Sequence, residues 1–348
     1  MSTPPLAGIS VEQVDKLGPA DVDAVLALVR RATDVDAVAP LSEHVLLHLR
    51  SGGEEPGRHL LLRDAPPAGS MAGGETGGET GGGTGGAATD VVGYAHLDPT
   101  DPVEGSSAEL VVDPRHRRQG HGRRLVEALL ELTARLGDER LRLWAHGEAA
   151  DAGALADAMG FDRARELWQM RRSLHAALPR PEVPAGVALR TFRPGDEDAV
   201  LAVNAAAFAD HPEQGRWTRA DVAARVAEDW FDPAGLFLLE RADGGPDDGD
   251  LLAFHWTKVH GATQHSHQDG TPHGHDPIGE VYVVGVDPSA QGRGLGRLVT
   301  LVGLRHMRDR GLAQAMLYVD ADNTAAVRTY TALGFARWDV DVQFRRRV

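Results

Sequence analysis

The sequence predicts an α/β (α+β) fold that occurs twice in tandem. Three observations support this prediction: similar strings recur at a fixed offset, short apolar runs alternate with helical patterns, and each copy has a glycine-rich turn between such a run and a helix. The chain has 348 residues, which is enough for about two domains. The length therefore agrees with the repeat.

The repeat is carried by strings that share one register. Val112-Asp113-Pro114 and Val286-Asp287-Pro288 are 174 residues apart, and a glycine-rich turn follows each of them. Gly160-Phe161 recurs at the same offset as Gly334-Phe335. Several matches in one register indicate a duplicated domain rather than a chance likeness.

The order of elements is the same in both halves. Each half predicts a strand, a helix, two or three strands, the glycine-rich turn, a helix, a strand, a short helix and a last strand. Residues 125–136 and 298–307 have the helical spacing of apolar positions, whereas 110–112 and 281–284 are short apolar runs rich in β-branched residues. This alternation is typical of a layered α/β fold.

The predicted domains meet at a proline-rich segment. We expect an N-terminal domain over residues 1–175, a linker over 176–186, and a C-terminal domain over 187–348. Two further segments, 69–86 and 263–277, have the composition of disordered loop insertions.

The two insertions differ in what they could bind. The first has ten glycines in 18 positions, which suits a disordered loop without a ligand. The second contains His265, His267, His273 and His275. Histidine pairs two residues apart could chelate a divalent metal, but nothing nearby predicts a rigid scaffold, so a solvated loop without a metal is the expectation.

Composition excludes several classes of function. Lys and Arg number 36 against 51 Asp and Glu, which gives a formal net charge of −15 and argues against a nucleic-acid-binding protein. The absence of cysteine excludes disulfides, thiolate metal sites and a cysteine nucleophile. The sequence has no run of 18 apolar residues, so it predicts no membrane-spanning helix. The expectation is a cytoplasmic monomer without a membrane or nucleic-acid partner.

The glycine-rich turns predict phosphate binding. Gly292, Gly294 and Gly296 let the backbone approach a ligand, and the free N–H groups at the start of the following helix favour an anion. Arg293 and Arg297 add positive charge in an acidic chain. The turn matches neither the Walker A loop nor the Gly-x-Gly-x-x-Gly dinucleotide fingerprint.

The turn resembles instead the coenzyme A pyrophosphate loop of the GCN5-related N-acetyltransferase family. This resemblance covers both halves of the chain, and it implies a mixed sheet in which two parallel strands splay apart around acetyl-CoA, with a backbone N–H of the first strand donating to the acetyl carbonyl. The implied coenzyme contacts in the second half are Val284, Gly285, Val286, Gln291, Gly292, Arg293, Gly294, Leu295, Gly296, Arg297, Asn323, Thr324, Ala325, Ala326, Val327 and Arg328. In the first half they are Leu110, Val111, Val112, Arg118, Gln119, Gly120, His121, Gly122 and Arg123.

The two halves differ where acetyl transfer needs a proton acceptor and a proton donor. The second half has Glu280 at the start of the strand that ends at the coenzyme loop, Tyr330 on the last short helix, and Asn323 at the start of that helix. The residues at the same places in the first half are Ser106, Ala156 and Ala149. We therefore expect the second half to be catalytic, with Glu280 as base and Tyr330 as acid, and the first half to be a non-catalytic copy.

Longer strings narrow the resemblance within the family. The segments 211–215, 254–260, 279–287 and 317–323 closely resemble tandem-domain members that N-acetylate the cysteinyl amine of cysteinyl-glucosaminyl-inositol, the last step of mycothiol biosynthesis. This resemblance implies that the thiol-sugar substrate contacts Asp36, Glu213, Lys258, Glu280 and Tyr318. Asp34 remains an alternative to Asp36, because it lies two residues away.

Other functions stay open at this stage. The same fold and chemistry could serve another amine, such as an aminoglycoside, a polyamine or a protein N-terminus. A non-enzymatic acetyl-CoA sensor would explain the altered first half, although it does not explain why Glu280 and Tyr330 occur together in the second. Release of coenzyme A with candidate amines distinguishes an enzyme from a sensor.

Overall fold

The protein is described by a computed structural model in which residues 9–51, 58–64, 90–101, 104–209, 214–261, 263–266 and 272–348 are placed. The chain forms two compact units. Unit 1 comprises Met1–Arg165 together with Asp341–Val348, and unit 2 comprises Glu166–Val340.

The described residues of unit 1 form five strands of its own half, four helices and the end of the last strand of the chain. Its strands pair in the order β1, β2, β3, β4, β5 and then β14. Its elements are β1 (Ile9–Val14), α1 (Pro19–Asp36), α2 (Glu43–Ser51), β2 (Arg58–Asp64), β3 (Val91–Asp98), β4 (Ser106–Val112), α3 (His121–Leu136), β5 (Arg140–Ala145) and α4 (Ala150–Ala158).

Unit 2 repeats this order of elements, and its described part includes four helices. Its main sheet has the strand order β6, β13, β12, β9, β8 and β7. Its elements are β6 (Asp162–Ser173), β7 (Val187–Thr191), α5 (Glu197–Ala207), α6 (Arg219–Val226), β8 (Leu236–Arg241), β9 (Leu251–His260), β10 (Thr263–Ser266), β11 (Pro272–His275), β12 (Ile278–Val286), α7 (Leu295–Asp309), β13 (Gln314–Asp320), α8 (Thr324–Ala332) and β14 (Ala336–Arg347).

The units divide the chain differently from the predicted boundary at residues 176–186. The cause is an exchange of strands between the sequence halves. Residues 167–173 of β6, the last strand of the first half, pair with β13 in unit 2. Residues 342–347 of β14 pair with β5 in unit 1. The proline-rich segment therefore lies within unit 2, where it forms no helix or strand and where Leu178 is buried.

The helices of each unit pack on their own sheet through apolar stripes. In unit 1, Val25 and Leu28 of α1 pack with Leu61 of β2 and Tyr94 of β3. In unit 2, buried residues of α7, the helix after the coenzyme loop, form a cluster with β12 and β13 that includes Leu301, Leu304, Met307, Val281 and Leu317. Burial of such stripes is the main term that holds helices onto a sheet.

The two predicted insertions have different outcomes. Residues 263–277 are not wholly a disordered loop, because β10 and β11 pair in an antiparallel ladder in which His265 stands opposite His273. The connecting sequence between β10 and β11 is short, which allows the two strands to pair. Composition alone does not predict such pairing. Residues 69–86 lie outside the described part of the chain. Among the described residues, no helix has the length and apolar character that crossing a bilayer requires.

Candidate active site

The coenzyme loop of unit 2 has the backbone that the glycine spacing predicts. Asp287 ends β12, and its carboxylate accepts a hydrogen bond from the Ser289 N–H at 2.8 Å. Gly292 and Gly294 have φ angles of 75° and 77°, in the left-handed region that favours glycine. Gly294 is the residue that precedes α7, so the first N–H groups of that helix face the loop.

The same loop offers positive charge for a phosphate. The side chains of Arg293 and Arg297 are exposed. Neither makes a hydrogen bond or an ion pair with another described residue. Gln291 is exposed in the same turn, and Leu295 is buried in the core, where it anchors the start of α7. A helix start with two unpaired guanidinium groups suits a pyrophosphate.

The strand that leads to this loop is open on one edge. β12 pairs with the parallel strand β13 at only two positions, Gly279 with Ala315 and Glu280 with Met316. Beyond Glu280 the two strands diverge, whereas the other edge of β12 pairs with β9 as far as Val286. The backbone of Val284–Val286 therefore borders a gap, as the family resemblance implies. Gly285 is required by packing, since a Cβ there would overlap the ring of Phe254.

β12 also carries a bulge just before this open segment. The pairing with β9 shifts between Val281 and Val283, so Tyr282 is the inserted residue. A bulge changes the face on which the preceding side chains emerge. In β12 it lies between Glu280 and the coenzyme loop.

Glu280 is buried at the last paired position of the splayed strands. Its side chain is 8% exposed, and its Oε2 lies 2.7 Å from Nε2 of His260 on β9. Glu280 stands opposite Lys258 in the β12–β9 ladder, and His260 lies diagonally across. His260 was not assigned a role from the sequence, although antiparallel pairing of these strands with Glu280 opposite Lys258 would have indicated it.

Lys258 lies against aromatic rings beside Glu280. Its Nζ is 4.5 Å from the ring centre of Trp230 and 5.2 Å from that of Tyr282. Tyr282 is held in turn by Arg225, whose Nε donates to the tyrosine Oη at 2.8 Å. The buried ammonium group is thus stabilised by the faces of two rings, next to the buried carboxylate.

Tyr330 holds its proton firmly. It lies on α8, packs edge-on against Phe335 at 6.0 Å between ring centres, and borders the same core cluster as Val284. Burial raises the pKa of Tyr330 to about 12, because the apolar surroundings disfavour the phenolate. A phenol that stays protonated at neutral pH has a proton available for a leaving group.

The remaining predicted residues are more scattered. Asn323 caps α8, where its Oδ1 accepts from the Ala326 N–H at 3.1 Å, and Thr324–Arg328 form the first turn of that helix. Tyr318 is exposed on β13, and its Oη accepts from Nε2 of Gln169 at 2.9 Å. Glu213 lies outside the described residues.

Asp36 is engaged within unit 1. Its carboxylate takes two hydrogen bonds from Arg117, at 2.7 and 2.6 Å. This bidentate pair lies at the end of α1, beside the coenzyme loop of that unit. Contact of Asp36 with a substrate stays a prediction.

The coenzyme loop of unit 1 has nearly the same backbone and borders a cavity of about 870 Å³. Gly120, with a φ angle of 85°, precedes α3, and Arg118 takes the left-handed conformation that Gly292 has in unit 2. β4 and β5 pair over only three positions and then diverge. Among the predicted coenzyme residues, the cavity is lined by Leu110, Val111, Val112, Arg118, Gly120, His121, Gly122 and Arg123, whereas Gln119 lies in the loop.

This cavity has unsatisfied polar groups. His121 is buried, and neither of its ring nitrogens has a hydrogen-bond partner in the described chain. Glycine backbone, an N-terminal helix turn and these nitrogens together fit a phosphate-bearing ligand. The residues that the 174-residue offset aligns with Glu280 and Tyr330 cannot replace them. Ser106 is fully buried and donates to Asp138, and Ala156 has no polar side-chain group.

A buried histidine also borders the cavity of unit 1. His146 lies between two carboxylates, with Nδ1 3.0 Å from Asp341 and Nε2 3.4 Å from Glu109. These hydrogen bonds outweigh burial and raise the pKa of His146 to about 10. The sequence did not indicate this group, because Asp341 reaches it from the last strand of the chain.

The fold and the two coenzyme loops define a tandem acetyltransferase, and the chain belongs to the acetyltransferase (GNAT) family. The profile of that family matches residues 53–161 and 203–335. Enzymes of this family use acetyl-CoA.

Named relatives extend over nearly the whole chain. A mycothiol acetyltransferase of Streptosporangium roseum is 52% identical and covers 97% of this chain and 99% of its own length. One from Acidothermus cellulolyticus is 53% identical over 98% of this chain and 95% of its own.

Solved structures confirm the fold. A tandem GNAT protein from the clavulanic acid biosynthesis pathway has a TM-score of 0.64 and 19% identity, over 97% of this chain and 98% of that one. A GCN5-related N-acetyltransferase from Sphaerobacter thermophilus has a TM-score of 0.62 and 22% identity, over 97% and 95% of the two chains.

Proposed function

We propose that the protein N-acetylates the cysteinyl amine of cysteinyl-glucosaminyl-inositol, the last step of mycothiol biosynthesis. The observation that carries this proposal is the buried Glu280, which lies where β12 and β13 diverge and one bulge away from the coenzyme loop. The two relatives named mycothiol acetyltransferase, at 52% and 53% identity, support this substrate.

Acetyl-CoA supplies the acetyl group and leaves as the free thiol. The loop at 291–297 binds the pyrophosphate through its backbone N–H groups and its arginines, and the open edge of Val284–Val286 donates to the acetyl carbonyl. Glu280 accepts one proton from the substrate ammonium, directly or through one water molecule, and the free amine attacks the acetyl carbonyl. As the carbon–sulfur bond breaks, the nitrogen releases its second proton to solvent. Tyr330 then donates its Oη proton to the departing sulfur, after which the pair returns to its starting state through solvent.

The substrate end of the site is formed by charge and aromatic surface. Lys258 and Glu280 provide a donor and an acceptor for the hydroxyl and amine groups of the substrate, and Glu213 and Tyr318 are the further contacts that the resemblance implies. His260 holds the Glu280 carboxylate in place from the neighbouring strand. Unit 1 binds a second acetyl-CoA in the 870 Å³ cavity and does not transfer its acetyl group. The chain acts as a monomer.

The experiment is a thiol-release assay with acetyl-CoA. Cysteinyl-glucosaminyl-inositol is run beside glucosaminyl-inositol, which lacks the cysteinyl group, and beside aminoglycosides and polyamines. Selective turnover of the cysteinyl compound is the expected result. Turnover of the other amines alone would contradict the substrate, and tight acetyl-CoA binding without any turnover would indicate a sensor.

A further inference from the structure

Three histidines of unit 1 converge at a place unrelated to either coenzyme loop. His59 on β2 and His96 on β3 stand directly opposite each other in the antiparallel ladder. His48 reaches them from α2, and the three ring centres are 5.0 to 5.7 Å apart. One ligand atom of each histidine lies within 4.8 Å of the others.

These imidazoles are buried and neutral. His59 and His96 are 4% and 2% exposed, and His48 is half-buried. Burial lowers the pKa of His59 to about 4 and that of His96 to about 3, and it also lowers the pKa of His48. A neutral imidazole has the free lone pair that a metal ligand needs, so no proton has to be displaced at pH 7.

Packing alone leaves a nitrogen of this histidine cluster without a hydrogen-bond partner. Nδ1 of His96 is buried and has no hydrogen-bond partner within the described residues. A buried nitrogen without a hydrogen-bond partner destabilises a fold, because it has lost its contact with water. Apolar side chains at these three positions would avoid that cost, so the arrangement points to a ligand.

A hydrogen bond with a buried tyrosine orients one of the three rings. Nδ1 of His59 lies 2.8 Å from Oη of Tyr94, which is itself fully buried. This contact occupies Nδ1 and leaves Nε2 of His59 for a ligand. Metal-binding histidines in proteins commonly have such an oxygen partner on the other ring nitrogen.

We propose that His48, His59 and His96 form a binding site for a divalent cation of the Zn²⁺ type, with three imidazole ligands and one open position. Tetrahedral Zn²⁺ places its nitrogen ligands about 3.3 Å apart, so the rings have to approach one another by about 1.5 Å at most. The side chain of His48 can supply this movement because it is only half-buried. The bound ion ties α2 to β2 and β3 and stabilises unit 1.

The His-rich hairpin is the competing binder in any titration. His265 lies on β10, His273 and His275 lie on β11, and His267 is one residue beyond β10 in the sequence. Histidines spaced two residues apart can chelate a divalent metal. The test therefore uses the full-length chain with these four residues changed to alanine, freed of metal with a chelator. Co²⁺ is the probe, because its visible absorption reports tetrahedral coordination, and Zn²⁺ displaces it.

The expected result is one equivalent of tetrahedral Co²⁺ per chain, displaced by Zn²⁺, with a thermal unfolding midpoint that rises with Zn²⁺. His48→Ala abolishes the spectrum, whereas His44→Ala, one turn away on the same helix and exposed, keeps it. Tyr94→Phe weakens Co²⁺ binding by about 10–100-fold, because the His59 ring loses its orientation.

Two outcomes would overturn the site. One is a tetrahedral spectrum that survives His48→Ala, and the other is absence of stoichiometric binding once the hairpin histidines are replaced. Circular dichroism of the metal-free variants shows whether they fold. If His48→Ala does not, His48→Gln provides the same test with a side chain of similar size.

Discussion

The two coenzyme loops share a backbone, and the strands that lead into them do not. In unit 2 the bulge at Tyr282 separates Glu280 from the loop. In unit 1 every residue of β4 from Ser107 to Val112 has one partner on β3, so no residue is inserted. Because one inserted residue reverses the face of all side chains before it, Glu280 and Ser106 emerge on opposite faces of their strands. The units thus share a way to hold a phosphate. Unit 2 has the buried carboxylate of Glu280 where its strands diverge, whereas the buried carboxylate on β4, Glu109, lies against His146 and the Ser42 N–H.

Removing the proton-transfer groups of unit 2 should have the largest effect, a loss of kcat. Glu280→Gln and Tyr330→Phe each lower kcat by about 10²–10⁴-fold, because each removes a proton acceptor or donor. Acetyl-CoA affinity is unchanged, since neither side chain belongs to the loop. Steady-state kinetics and calorimetric titration measure the two quantities, and Glu182→Gln, an exposed carboxylate-to-amide change, is the matched control.

The bulge makes this test sharper. Placing Ser106→Glu and Ala156→Tyr in the Glu280→Gln chain gives no gain in turnover, because β4 is regular and the new carboxylate faces away from the gap. Recovery of turnover would contradict the role given to the bulge. Near-normal turnover of either single variant in unit 2 would remove that residue from the mechanism.

A matched pair of glycine substitutions separates the functions of the two loops. Gly294→Val and Gly120→Val both force a β-branched residue into a left-handed conformation, at φ angles of 77° and 85°. We expect Gly294→Val to lower kcat/KM by about 10–100-fold through lost coenzyme binding. Gly120→Val should reduce the number of acetyl-CoA molecules bound per chain from two to one.

Calorimetric stoichiometry and kcat/KM are measured on the same preparations. One acetyl-CoA per chain in the unaltered protein would contradict coenzyme binding in unit 1. A loss of turnover in Gly120→Val as large as that in Gly294→Val would contradict the assignment of catalysis to unit 2.

The pH dependence of stability should differ between the units. His146 keeps its proton in folded unit 1 up to a pKa of about 10, whereas an unfolded histidine releases it near pH 6.5. Its contribution to the free energy of unfolding is therefore fully present below about pH 6.5 and is lost between about pH 6.5 and 10. Unit 2 has Asp320 at the corresponding position.

Denaturant unfolding at several pH values measures this effect. His146→Gln should remove the loss of stability between neutral and alkaline pH. If the unaltered protein and the His146→Gln variant lose stability equally as the pH rises, the hydrogen bonds with Asp341 and Glu109 do not hold the His146 proton.

Local patterns predicted the parts of the site that depend on local conformation. The glycines at 292 and 294 indicated left-handed turns before a helix, and the structure has them there. The strand exchange was not predictable, because it depends on pairing between β6 and β13, about 150 residues apart in sequence. His260 and the His48–His59–His96 cluster were missed for the same reason: their partners are neighbours only across strands and helices.

The smallest expected effect concerns a position where both loops have a left-handed backbone but differ in residue type. Arg118 has a φ angle of 63°, where unit 2 has Gly292. A left-handed non-glycine residue costs about 1–2 kcal/mol, and the greater freedom of glycine in the unfolded chain offsets about half of that. The ion pair of Arg118 with Asp151 is exposed at both ends and contributes little. Arg118→Gly should therefore raise the free energy of unfolding of unit 1 by about 0.5–1 kcal/mol. Gly292→Arg in unit 2 is the reverse change and should lower the free energy of unfolding by a similar amount. If both variants shift this free energy in the same direction, the two loops do not share the left-handed backbone at this position.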